Sequence, residues 1–67
     1  MITIYNTNSI KNTKEGRIVY AELRGLSTDT KPTLIGTDII GNGSVFIEID
    51  TQKIFFYDDI SKEWKGE

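Results

Sequence analysis

The chain predicts an all-β fold: a small antiparallel sheet, or a β-sandwich or barrel-like domain, ending in a C-terminal β-hairpin. Three observations predict it. Ile, Val and Thr make up 21 of the 67 residues, whereas Ala and Leu, the strongest helix formers among apolar residues, make up only 4. Local preference therefore opposes helix along the whole chain. Two runs dense in β-branched and aromatic residues, at 45–49 and 54–57, flank a short polar turn, which is the pattern of a hairpin. That hairpin holds all three Phe, one of three Tyr and, just past its exit, the only Trp, so most of the aromatic area available for burial lies there.

Residues 1–5 alternate weakly and suit a short edge strand. Residues 6–16 are rich in Asn, Thr, Lys and Ser, with Ile10 as their one large apolar side chain. They read as a loop, making 1–16 a candidate flexible arm. Residues 17–24 form a good strand, with Ile18 and Tyr20 on one face and Val19, Ala21 and Leu23 on the other. Apolar residues on both faces imply cover on both sides. Residues 25–33 gather Ser-Thr-Asp-Thr-Lys around the single proline, a turn cluster. Residues 34–40 suit a short strand broken at Gly36 and ended by Gly41-Asn42-Gly43, where positive φ costs little.

In the hairpin, which spans 43–65 with its exit loop, a two-residue turn at Thr51-Gln52 pairs Asp50 with Lys53, Ile49 with Ile54, Glu48 with Phe55, Ile47 with Phe56 and Phe46 with Tyr57. One face then carries Val45, Ile47, Ile49, Ile54 and Phe56 and is expected to be the core. The other carries Phe46, Glu48, Phe55 and Tyr57. These four are the candidate protein-binding residues, because a mixed aromatic and acidic surface left in water marks an interaction site. The competing expectation is that Trp64 or residues 34–40 fold over them. No repeat or linker divides the chain, so residues 1–67 are expected to form one domain.

Composition narrows the function classes. With neither Cys nor His, the chain lacks disulfides and histidine ligands. Small domains lean on such staples, which leaves association with other chains. A net charge of −2 argues against a nucleic-acid footprint, which needs clustered basic groups. The first 24 residues carry Lys11, Lys14, Arg17 and Arg24 against Glu15 and Glu22, while 44–67 carry six acids against three lysines. That asymmetry reads first as solvated charge with no partner, and second as attraction within the fold or between neighbouring copies. Residues 1–6 show no basic leader and no apolar run of spanning length, so a soluble protein with no membrane partner is expected. Acid–base chemistry would fall to Glu48, Asp58 and Asp59, with no sign of a pocket to tune them, and neither catalysis nor a cofactor is expected. Asp58-Asp59 reads as a solvated turn rather than a metal site, since the Asp-x-Asp-x-Asp-Gly spacing is missing. Gly41-Asn42-Gly43-Ser44 lacks the Lys and helix of a phosphate-binding loop.

Gly43-Ser44, an alternating strand, Ile49-Asp50-Thr51, Lys53, an aromatic strand ending Tyr57-Asp58, and Trp64 downstream together resemble a hairpin recurrent in small virion proteins and fibre modules of tailed bacteriophages. The resemblance covers residues 41–65. Gln52 departs from the pattern, in which Gly is frequent near that position. A left-handed turn residue disfavours Gln, so a longer type I loop competes with the two-residue turn. In the motif, Asp50 is expected to accept turn amides, Thr51 to support the turn and Trp64 to return across the hairpin, all three as structural staples. The resemblance implies a non-enzymatic phage structural protein, synthesised in the host bacterial cytoplasm and residing in the virion. The foremost role it implies is an auxiliary head protein that decorates and cements the major capsid protein lattice, as a homo-oligomer with a trimer as one arrangement. The alternatives are a tail or fibre module binding protein or carbohydrate, and a small phage inhibitor of a host enzyme.

Overall fold

The computed structural model describes residues 1–66, which form strands and turns with no helix among them. Seven strands, β1 (Thr3–Thr13), β2 (Gly16–Gly25), β3 (Leu34–Ile35), β4 (Asp38–Ile40), β5 (Val45–Glu48), β6 (Lys53–Asp58) and β7 (Glu63–Gly66), join in one sheet curled into a half-barrel. β2 is its axis. β1 runs antiparallel along one edge of β2. Along the other edge β4 pairs parallel with the start of β2 and β5 pairs parallel with its end. From β5 the sheet continues as an antiparallel meander through β6 to β7, while β3 pairs with β4. The sheet is therefore mixed, and its half-barrel form fits the barrel-like alternative of the expected all-β fold and not the small antiparallel sheet. The chain crosses over after β2 and returns twice in the same direction, a long-range event that local pattern does not encode.

Residues 41–44 bulge between β4 and β5, standing opposite only Tyr20 and Ala21 of β2. The Gly41 amide donates to Val19 O at 2.7 Å, and the next free amide of β2, on Ala21, donates to Ser44 Oγ at 3.1 Å. Ser44 Oγ in turn donates to Gly41 O at 2.8 Å. A fully buried hydroxyl thus replaces a ladder carbonyl and keeps the backbone satisfied across the bulge. Gly43 takes φ +85° here, a conformation in which a Cβ is costly.

The core lies on the inner face of the sheet. Val19 of β2 is buried, and Ala21 and Leu23 of the same strand form a buried cluster with Ile40, Phe46 and Tyr57, against which Ile2, Ile35, Phe55 and Trp64 pack. Ile18 and Tyr20 are half-buried on the outer face, in line with the two-sided pattern of this strand. A bidentate pair from Arg17 to Asp38, at 2.7 and 3.3 Å, ties the start of β2 to β4.

β1 begins within the short edge strand expected at 1–5 and continues through the residues read as a loop, so 1–16 is not the flexible arm expected. It is an eleven-residue strand in which ten side chains are exposed. Its ladder with β2 carries two bulges, at Tyr5 and Ile10, and closes on a tight Lys14-Glu15 turn. The ladder holds it, so its polar side chains have no core to match.

The β5–β6 register also differs from the two-residue-turn reading. Glu48 pairs with Lys53, Ile47 with Ile54, Phe46 with Phe55 and Val45 with Phe56. Residues 49–52 form a four-residue loop in which Gln52 takes φ 63° and its amide donates to Glu48 O at 2.8 Å. The longer loop accommodates the left-handed residue. A two-residue shift preserves which side chains share a face, because the pleat repeats every two residues. A second four-residue loop joins β6 to β7, again with its last residue, Lys62, left-handed at φ 61°. β7 itself, which carries Trp64 opposite Tyr57, has no counterpart in the sequence reading.

Candidate functional site

The hairpin's two faces are reversed from expectation. Phe46, Glu48 and Tyr57 are 0%, 5% and 4% exposed, and Phe55 is half-buried, so the candidate protein-binding face is the core face. Leu23 of β2 is in register with Phe46, and Phe46 with Phe55, which extends the uncharged inner row of β2 into the hairpin. The outer row of β2 carries Glu22 and Arg24 and could not be buried cheaply. Trp64 lies across the inner face, its ring centroid 6.0 Å from Phe46 edge-on and 5.1 Å from Tyr57. Its indole N–H donates to Pro32 O at 2.8 Å, fastening the loop after β2 over the core. The expectation that Trp64 folds back across the hairpin describes this arrangement.

Glu48 is the one buried carboxylate among the described residues. Lys31 Nζ donates to Oε2 at 2.6 Å and Thr51 Oγ1 donates to Oε1 at 2.6 Å. These bonds, with Lys31 foremost, hold the carboxyl below its ordinary range. The same ammonium lies 4.9 Å from the Phe46 centroid and 4.2 Å from that of Phe55, a cation over two aromatic faces. No buried side-chain polar atom among the described residues lacks a partner. Lys31 was missed in the sequence. The available signal was Glu48 itself, since an acid within an aromatic row calls for a cation from elsewhere.

Asp50 accepts from the Ser27 amide at 2.9 Å and the Ser27 hydroxyl at 2.6 Å, so it joins two loops, while the backbone amides of Asp50 and Thr51 in its own turn also help to hold its carboxyl low. The Ser27 hydroxyl bond is the main reason its carboxyl is held low. Thr51 Oγ1 also accepts from the Lys53 amide at 3.3 Å, supporting the turn. Asp58 accepts from the Ile60 amide at 3.0 Å and the Ser61 hydroxyl at 3.1 Å, while the Asp59 amide is taken by Asn42 Oδ1. Both acids belong to a turn. Among the described residues no group of three or more acid, His or Cys side chains converges, and no pocket opens in the surface.

The exposed face is the one expected to be core. The register sets Glu22, Val45, Phe56 and Lys65 side by side across β2, β5, β6 and β7, and Arg24, Ile47 and Ile54 in the next row. Phe56 is 54% and Ile54 40% exposed, with Val45 and Ile47 half-buried between them. At the β2 end, the Tyr20 hydroxyl donates to Glu22 at 3.0 Å and the Arg24 guanidinium sits 4.5 Å from the centroid of the Tyr5 ring. The arrangement is an apolar patch on two paired strands, rimmed by charge, which suits contact with another protein surface. No protein-family model, curated protein or solved structure matches the chain.

Proposed function

We propose that this chain is a non-enzymatic structural protein of a tailed-phage particle and that it works by protein–protein contact through the outer face of β5 and β6. The observation that carries the contact is the pair of outward rows, Val45–Phe56 and Ile47–Ile54, in a chain of only 67 residues whose inner face already supplies its core. Small domains of this kind gain stability by burying such a patch on a neighbour. The phage reading rests on the resemblance of residues 41–65, and within a particle the favoured role is auxiliary attachment to the major capsid protein lattice. Many identical attachment sites stabilise a lattice by mass action and need no chemistry. A carbohydrate-binding fibre role loses support, because Phe46, Phe55 and Tyr57, the rings it would use, are turned to the core.

Mass spectrometry of purified virions tests the proposal. The expected result is this chain in multiple copies per particle, with a folded Phe56→Glu variant washed off. Absence of the wild-type chain from particles overturns the virion reading.

A further inference from the structure

The charge pattern around the outer patch indicates what covers it. In the row Glu22, Val45, Phe56, Lys65, an acid stands at one end and a base at the other, with two apolar residues between. The ends are three strand spacings apart, about 14 Å, too far to pair within one chain. Arg24, the other cation on the β2 side, is turned over the Tyr5 ring. A two-fold axis running along the strands, between β5 and β6, reverses this row. It sets Glu22 over Lys65 of a second copy, and Lys65 over Glu22 of that copy, while Val45 and Phe56 meet twice in the centre.

We infer that two copies of this chain pair face to face through the outer surface of β5 and β6 as an isologous dimer. The inference rests on reading that face as a protein-binding surface, and it assigns the face to a second copy, so that the pair and not the single chain is what attaches to a particle. A self-complementary row closes with two copies, which distinguishes this assembly from the trimer that the phage resemblance allows.

Analytical ultracentrifugation of the full chain, from micromolar to millimolar concentration, tests the dimer. The wild type is expected to sediment at twice its 7.6 kDa monomer mass. Phe56→Glu, folded by circular dichroism because the side chain points outward, is expected to sediment as monomer. Glu22→Lys and Lys65→Glu should each weaken the dimer by roughly tenfold, since each change affects two pairs per dimer. Combining them should recover most of the association that either single change loses, since the pairs across the dimer are re-formed while the in-chain contacts Tyr20–Glu22 and Lys65–Glu63 are not. A monomeric or trimeric wild type, a dimeric Phe56→Glu variant, or a double exchange no better than either single one overturns the inference. A monomeric wild type whose Phe56→Glu variant still leaves particles removes the dimer and keeps the face as a binding surface. A dimer absent from particles removes the virion reading and keeps the dimer.

Discussion

Ser44 and Glu48 are the two buried polar side chains among the described residues, and each is held from two sides. Ser44→Ala orphans the Ala21 amide at the bulge. It should cost about 1–3 kcal/mol, and a thermal melt should fall by roughly 4–8 °C for each kcal/mol lost. Glu48, Asp29, Asp38, Asp50 and Asp58 all sit below their ordinary carboxylate range. A folded value below the unfolded one contributes stability that is complete above the unfolded value, about 4. It is lost as pH falls through the lower folded value. Tyr57 is displaced the other way, upward, chiefly by burial. Its burial is tolerated below the unfolded value near 10, so its contribution fades as pH rises through the higher folded value. Melting temperature should therefore hold level between these limits and drop on both sides. Lys31→Met tests the Glu48 contact. The variant should melt lower at neutral pH, with the gap from wild type narrowing toward pH 4 as the stranded carboxylate takes up a proton. A gap independent of pH would mean that Lys31 acts only through its packing over Phe46 and Phe55. Lys31 was illegible because its partner lies 17 residues away, beyond the reach of any local pattern.

Among the elements, β7 and the two four-residue loops give the clearest tests. Trp64→Ala removes the ring that meets Phe46 and Tyr57 and the bond to Pro32. Such a truncation costs about 3–5 kcal/mol, close to the whole stability of a small domain, so the isolated variant should lose its cooperative melt. An unchanged melt would show that the ring closes nothing. Gln52→Gly relieves a left-handed residue at φ 63°. It should stabilise by roughly 1 kcal/mol, since that region disfavours a side chain by about 1–2 kcal/mol and glycine's unfolded-state entropy returns part of the gain. The hairpin strands and the partition of their side chains between faces were legible, because a period of two survives a register error of two. Which face becomes core was not legible. Both carry large apolar groups, and the decision is made by alignment of Phe46 with Leu23 on a distant strand. The length of β1 beyond the edge strand read at 1–5 was illegible for a different reason: periodicity records burial, and a strand held by its ladder leaves no such record.

For the whole molecule, the all-β class followed from composition, because every local preference pointed the same way. The mixed topology did not, because it depends on how residues 26–33 carry the chain over the core and return it beside β2. The same crossover has a kinetic consequence. β1–β2, β3–β4, β5–β6 and β6–β7 are joined by short turns, and isolated hairpins close in about 1–10 μs. The parallel pairings with β2 span much longer loops, as the separation of 23 positions from Ala21 to Ser44 illustrates. Long closures lose chain entropy before their contacts form, so they set the pace of folding. The slow step should be the capture of the β5–β6–β7 meander by β2, with the Ser44 bulge forming as the two segments meet. In stopped-flow chevrons, Ser44→Ala should slow the folding arm, whereas Gln52→Gly, in a loop already closed at that barrier, should quicken the folding arm and leave the unfolding arm almost untouched.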